Sequence, residues 1–208
     1  MMMAPDFSLE DAALAEGFAT VAGVDEAGRG PWAGPVVAGA VILDRAKMSD
    51  ALLGGLNDSK KLSAKKREAL FALLPECARI GMGLASVDEI DEANILAATM
   101  TAMARAVAEL GAPPDLALVD GNRVPKLACP ARCEVKGDGR SLSIAAASII
   151  AKVTRDGIMA SLAAECPGYG WERNAGYGTK AHQEGLERLG VTKYHRKSFA
   201  PIHKILSR

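Results

Sequence analysis

The chain has 208 residues, 49% of them hydrophobic, enough for one sizeable core and little for a second domain. Its 25 basic and 25 acidic side chains cancel, so a nucleic-acid partner would have to be held by local patches and metal ions, not by the field of the whole chain. The four cysteines, Cys77, Cys129, Cys133 and Cys166, are too sparse for a disulfide scaffold or a zinc site, and no run reaches the roughly 18–20 apolar residues that span a bilayer.

A short helix is expected over 9–15, after a leader whose repeated Met1, Met2 and Met3 leave the true start open. The apolar stretch 20–25 predicts a first strand and 36–43 a second, close enough in sequence to pair antiparallel. Ser63 caps a helix running to 74, and 80–87 reads as a third strand containing Gly81 and Gly83. From 88 to 110 the pattern is helical, with acidic residues in the first turn and a Gly-Ala-Pro-Pro stop. Residues 116–120 form a short apolar strand ending at Asp120, a further strand lies near 132–136, and an Ala-rich helix covers 142–164. Strands in a meander and then alternating with helices imply an α/β fold, a mixed sheet with helices packed on it. Residues 1–208 read as a single domain, with a leader over 1–17 and a small helical extension of the same domain over 167–208.

The chemistry concentrates where Asp25 and Glu26 run into Gly28, Arg29 and Gly30. Successive side chains of a strand point to opposite faces, so both acids can serve one site only if the strand ends or bulges there. Adjacent carboxylates repel phosphate unless cations lie between, whereas the backbone of a Gly-x-Gly turn can approach a sugar or phosphate closely. A dinucleotide fingerprint is disfavoured, because no third glycine falls at the required spacing and Pro31 and Pro35 block the helix that should follow. A plain turn with a surface acidic pair is the remaining alternative.

Asp120 and Asp138 also stand at strand ends, where ligands of α/β sheets gather. Four carboxylates suit two magnesium or manganese ions, with positions left for water and phosphate. Each acid has a plainer reading: Asp120 as a turn residue, Asp138 as the cap of the next helix. Asp156 is a rival fourth acid, but its place inside a helix favours an intrahelical pair. Lys60, Lys61, Lys65, Lys66 and Arg67 crowd a helix start where the macrodipole disfavours cations, which suits phosphate contact or a solvated charged face. His182 and His195 read as phosphate or structural contacts, not as metal ligands.

The strings VAGVDEAGRGP at 21–31, VDGN at 119–122, KGD at 136–138, SIAAASI at 143–149, GYGTK at 176–180 and HRKSF at 195–199 resemble bacterial ribonuclease HII, in that family's order and over nearly the whole chain. The resemblance implies a ribonuclease H-like fold that cuts the RNA strand of RNA–DNA hybrids and nicks DNA 5′ of embedded ribonucleotides, leaving 3′-hydroxyl and 5′-phosphate ends. It implies that Asp25, Glu26, Asp120 and Asp138 bind two manganese or magnesium ions. By the same resemblance Gly28, Arg29, Gly30 and the ribonucleotide-sensing Tyr177 hold the substrate. Lys60, Lys61, Arg196 and Ser198 are expected to contact its phosphates. A cytoplasmic monomer is expected, acting on RNA–DNA hybrids and on DNA with embedded ribonucleotides and making no membrane contact. Independently of the family, Tyr177 between two glycines reads either as a sugar platform or as a buried core aromatic.

Overall fold

A computed structural model of the chain describes residues 4–207, so Met1–Met3 lie outside the described residues. Helix α1 (Ser8–Ala15) leads into the antiparallel hairpin of β1 (Val21–Ala27) and β2 (Val36–Leu43). The short α2 (Asp50–Leu53) and α3 (Ala64–Leu73) precede β3 (Ala78–Ala85), which pairs antiparallel with β2. Helices α4 (Val87–Ala93) and α5 (Ile95–Ala108) follow, then β4 (Leu116–Asp120), parallel to β1, and β5 (Ala131–Glu134), parallel to β4. The long α6 (Leu142–Glu165) and the C-terminal α7 (Trp171–Asn174), α8 (Lys180–Leu189) and α9 (Ala200–Leu206) complete the chain. The sheet order is β3-β2-β1-β4-β5, so the sheet is mixed as expected.

Helices α5 and α6 cover opposite faces of the sheet because the strands present almost no side chain at the crossings. A Cβ on Gly83 would lie 2.0 Å from the Ala102 carbonyl of α5, and one on Gly23 would lie 2.1 Å from the Ser143 backbone of α6. Backbone therefore meets backbone, and Ala145, Ala146 and Ala147 complete the close fit on the α6 side. Val24, Ala38 and Val119 fill the α5 side.

Several boundaries differ from expectation, each for a local reason. The helix expected over 88–110 is two helices, broken at Asn94, whose φ of 79° ends α4 while its side chain accepts from the Leu96 and Ala97 N–H groups to start α5. The third strand stops at Ala85 because Ser86 and Glu89 form a capping box for α4. Asp138 sits in a 3-10 turn (Gly137–Gly139), and Ser141, not Asp138, caps α6. Strand β1 neither ends nor bulges at the acidic pair: Asp25, Glu26 and Ala27 pair regularly with Gly39, Ala38 and Val37.

The C-terminal helices pack back onto the main body. Trp171, Tyr169, Leu186 and Ile202 form one buried cluster with Ala33 of the β1–β2 loop and Met159 of α6. That packing brings 192–196 against the loop that follows Glu26, and an isolated bridge joins Ala33 to His195.

Candidate active site

Strand β4 accompanies β1 only from Val21 to Val24, whereas β2 accompanies it to Ala27. Beyond Val24 the parallel pair has parted, and a crevice opens at the carboxyl ends of β1 and β4. This opening, not a bulge, lets neighbours on opposite faces serve one site. Asp25 lies on the α6 side with Gly23, and Glu26 lies on the other side with Val24. Asp120 ends β4, and its Oδ1 accepts from the Gly137 N–H at 2.7 Å, which ties the turn carrying Asp138 to the same crevice.

The four acids share one electrostatic field. Burial holds the Asp25 carboxyl well above the usual range, and Glu26, Asp120 and Asp138 push it further. Burial also raises Glu26, with Arg29 pulling it back and Asp120 pushing it up. Asp138 is pushed up to about 6, first by burial and then by Asp120 and Asp58. Burial works against the charge on Lys60, yet Asp25, Asp138, Asp58 and Asp120 outweigh it and raise its pKa. Asp25 and Asp138 are only 5% and 7% exposed, so water screens this repulsion poorly.

Among the described residues no three acidic, His or Cys side chains already form a metal cage. Asp25 Oδ1 is taken by the Glu26 N–H at 2.7 Å, Glu26 Oε1 lies 3.4 Å from Arg29 Nη1, and Asp120 is bonded to Gly137. The donor chemistry nonetheless fits hard divalent cations: the set is all oxygen, and repulsion among its members raises the pKa of Asp25 and Asp138. A cleft of about 740 Å³ opens beside Asp120 and Asp138, and Asp58, Lys60, Lys61 and Arg140 also line it. Asp58 was not anticipated. It caps the 3-10 turn Ser59–Lys61 and is one of the acids raising Asp138, and its own sequence context signals only a turn.

The Gly28–Gly30 turn is held from beneath by two buried arginines. Arg196 donates to the carbonyls of Gly28, Arg29, Pro31, Gly34 and Pro35 at 2.6–3.1 Å. Arg155 donates to those of Ala33, Pro35 and Ala175. Gly28 has φ 101°, and a Cβ there would strike Arg155 Nε at 2.0 Å, so this position requires glycine. The expected phosphate contact from Arg196 is corrected: the side chain is fully buried and its donors are committed to main-chain carbonyls. Ser198 is exposed, and its hydroxyl donates to Asp91 at 2.6 Å. Arg155 was missed because its Thr-Arg-Asp setting reads as an exposed helical face.

Tyr177 is 47% exposed, which removes the core-aromatic alternative. Its ring borders Gly30, where a Cβ would stand 3.3 Å from Tyr177 Cε1. Lys60 and Lys61 are both exposed, and the four acids Asp25, Asp138, Asp58 and Asp120 act on Lys60. Asp156 bonds Lys152 within α6 at 2.7 Å, the intrahelical pair expected of it. Arg67 is spent on the Ser59 and Leu62 carbonyls, bracing the turn that carries Lys60 and Lys61.

A mixed sheet with carboxylates at the parted ends of its central parallel strands defines a hydrolase of the ribonuclease H type. The chain belongs to the ribonuclease HII family, whose model, described as Ribonuclease HII, matches residues 22–202. It is 60% identical over 206 residues to the ribonuclease HII of Rhodospirillum rubrum, covering 98% of this chain and 93% of that protein. It is 56% identical to that of Ruegeria pomeroyi, covering 99% and 86%. Among solved structures, ribonuclease H2 from Pyrococcus horikoshii superposes with a TM-score of 0.75 at 31% identity, covering 91% of this chain and 98% of that one. Bst-RNase HIII in complex with Mn2+ shares the fold at 19% identity, with a TM-score of 0.73 and coverage of 94% and 72%. The protein is therefore a metal-dependent endoribonuclease that cleaves the RNA of RNA–DNA hybrids and cuts at embedded ribonucleotides. No helix among the described residues is long and apolar enough to cross a membrane.

Proposed function

We propose that Asp25, Glu26, Asp120 and Asp138 bind two divalent ions, magnesium or manganese, and that cleavage leaves 3′-hydroxyl and 5′-phosphate ends. The observation that carries this reading is the convergence of four mutually repelling carboxylates at the parted ends of β1 and β4. Bound ions would supply the positive charge that favours hydroxide over water and stabilises the leaving 3′-oxygen. Asp25 and Glu26 offer oxygens from the two sides of β1. Asp120, anchored by Gly137, keeps the Asp138 turn in register with them. Lys60 brings a cation to the mouth of the site, where it can meet a substrate phosphate.

The ribonucleotide is recognised by the Gly28–Gly30 turn and by Tyr177. The turn offers backbone donors and acceptors to a 2′-hydroxyl, which is itself both, and the exposed Tyr177 ring beside Gly30 offers a face for the sugar. Lys61, exposed on the cleft wall, extends the phosphate contacts. The reading also takes the protein as a single-domain cytoplasmic monomer. The four cysteines are free, and the proposed site is built from one chain.

The test is cleavage of a labelled DNA duplex containing one ribonucleotide, with and without magnesium or manganese. Single-site incision 5′ of the ribonucleotide, lost on chelation and in Asp120→Asn, is expected. Wild-type turnover by purified Asp120→Asn would overturn the four-carboxylate assignment.

A further inference from the structure

His182 and His195 are fully buried in the C-terminal layer, and neither has a part in the proposed metal site or substrate cleft. The bonds around them admit one arrangement of protons. A carbonyl can only accept, so His182 Nδ1, 3.0 Å from the Tyr177 oxygen, carries a proton. An indole N–H can only donate, so His182 Nε2, 3.1 Å from Trp171 Nε1, is bare. His195 Nε2, 3.0 Å from that same nitrogen, is then a donor, and His195 Nδ1 accepts from the Thr192 N–H at 2.9 Å. All four ring nitrogens are used, and each tautomer dictates the other.

The carbonyl they serve belongs to the residue whose exposed ring borders Gly30. It also accepts from the Thr179 N–H at 2.8 Å, while the Tyr177 N–H donates to the Asn174 carbonyl at 2.9 Å. The next residue is pinned as well: a Cβ on Gly178 would fall 2.1 Å from the ring of Trp32, which itself lies 5.7 Å from the His182 ring. Trp32 belongs to the loop that carries Gly28 and Gly30, and its N–H donates to the Gly176 carbonyl at 2.8 Å. The ring of Tyr177 is free to meet solvent, but its main chain is not free to move relative to the glycine turn.

We propose that His182 is a positioning residue for ribose recognition. Its Nδ1–H fixes the Tyr177 main chain against the Gly28–Gly30 turn, and Trp171 and His195 hold its tautomer. This rests on the reading of Tyr177 as the ribose-sensing aromatic. Main-chain placement governs where the ring meets the sugar, and a shift of about 1 Å at such a point can lower a rate by roughly 10²-fold without loosening the many phosphate contacts.

Amide side chains separate positioning from packing. In His182→Asn the amide nitrogen can stand where Nδ1 stood and keep the donor to Tyr177. In His182→Gln the amide reaches the Nε2 position and that donor is lost. For a duplex with one embedded ribonucleotide, His182→Gln should lower kcat roughly tenfold or more, with KM and the Kd for plain DNA duplex nearly unchanged. His182→Asn should retain most of the wild-type kcat. Equal losses in the two variants, or a wild-type kcat in His182→Gln, overturn the proposal.

Should His182→Gln fail to fold, nitrogen-15 NMR of the wild-type rings decides: a proton on Nε2 of His182 overturns it and one on Nδ1 supports it. Tyr177→Ala is assayed alongside. If it cleaves at the wild-type rate, the reading of Tyr177 falls and the proposal with it. If it is slow while His182→Gln is not, only the role of His182 falls.

Discussion

Asp25 is buried beside three other carboxylates and beneath a helix, a costly place for a charge unless a cation is bound. In metal-free buffer Asp25→Asn should therefore raise the melting temperature by roughly 2–4 °C, the shift expected of about 1 kcal/mol in a chain of this size. The same change should abolish cleavage, because an anionic ligand is gone. Scanning fluorimetry checks the first expectation, and a melting temperature at or below wild type would mean that the acids do not repel as placed. Asp156→Asn should leave cleavage nearly intact, since that carboxylate is spent on Lys152 and stands near Arg67. A cleavage assay that found Asp156→Asn dead would move the fourth acid to α6. Candidate roles are legible in the sequence where an acidic pair adjoins a glycine turn, a short-range signature. They are not legible at Arg196, whose cation-rich neighbourhood looks like a phosphate contact until burial is known.

The element that most needs support is the loop joining β1 to β2, because it carries the glycine turn and forms little regular structure of its own. Arg196 supplies it with five hydrogen bonds. Lysine keeps the charge but offers one compact ammonium in place of a planar fork. Arg196→Lys should therefore lower stability by about 3 kcal/mol or more and reduce cleavage with it, as read by denaturant titration and kcat. Stability unchanged in that variant would show that the loop holds itself. The C-terminal layer adds a pH dependence. Burial, followed by the neighbouring His182, holds His195 down to about 4, below its ordinary value of 6.5. A folded pKa below the unfolded one means that the unfolded chain takes up the proton first as pH falls. The stabilisation is fully present above about pH 6.5 and is lost as pH falls toward about 4. Thermal melts at steps through that window should show a falling midpoint, less steep in His195→Gln. An equal slope in the variant would place the titration elsewhere. The break at Asn94 belongs to this scale too: periodicity carries a helix through 88–110, and only the positive φ and the side-chain cap divide it.

Across the whole molecule the basic and acidic charges cancel, so grip on a duplex must come from local cations around the cleft. Neutral replacement of Lys60 and Lys61 together should flatten the salt dependence of duplex binding, by about 0.9 in slope for each phosphate no longer neutralised, without altering sequence preference. Titrations at several salt concentrations measure this, and an unchanged slope would take both lysines off the nucleic acid. By itself the sequence determined the mixed α/β plan and singled out four acids and a glycine turn as the candidate site. Each of these is written in periodicity, in a strand terminus or in a string of adjacent residues. Only the tertiary structure decided that β1 runs straight through its acidic pair and that the site opens because β4 leaves it. Packing likewise put Asp58 beside Asp138 and turned Arg155 and Arg196 inward. The physical reason is distance along the chain: Arg196 meets the Gly28 carbonyl across 168 residues. Whether a guanidinium faces a phosphate or a buried carbonyl depends on which segments the core brings together.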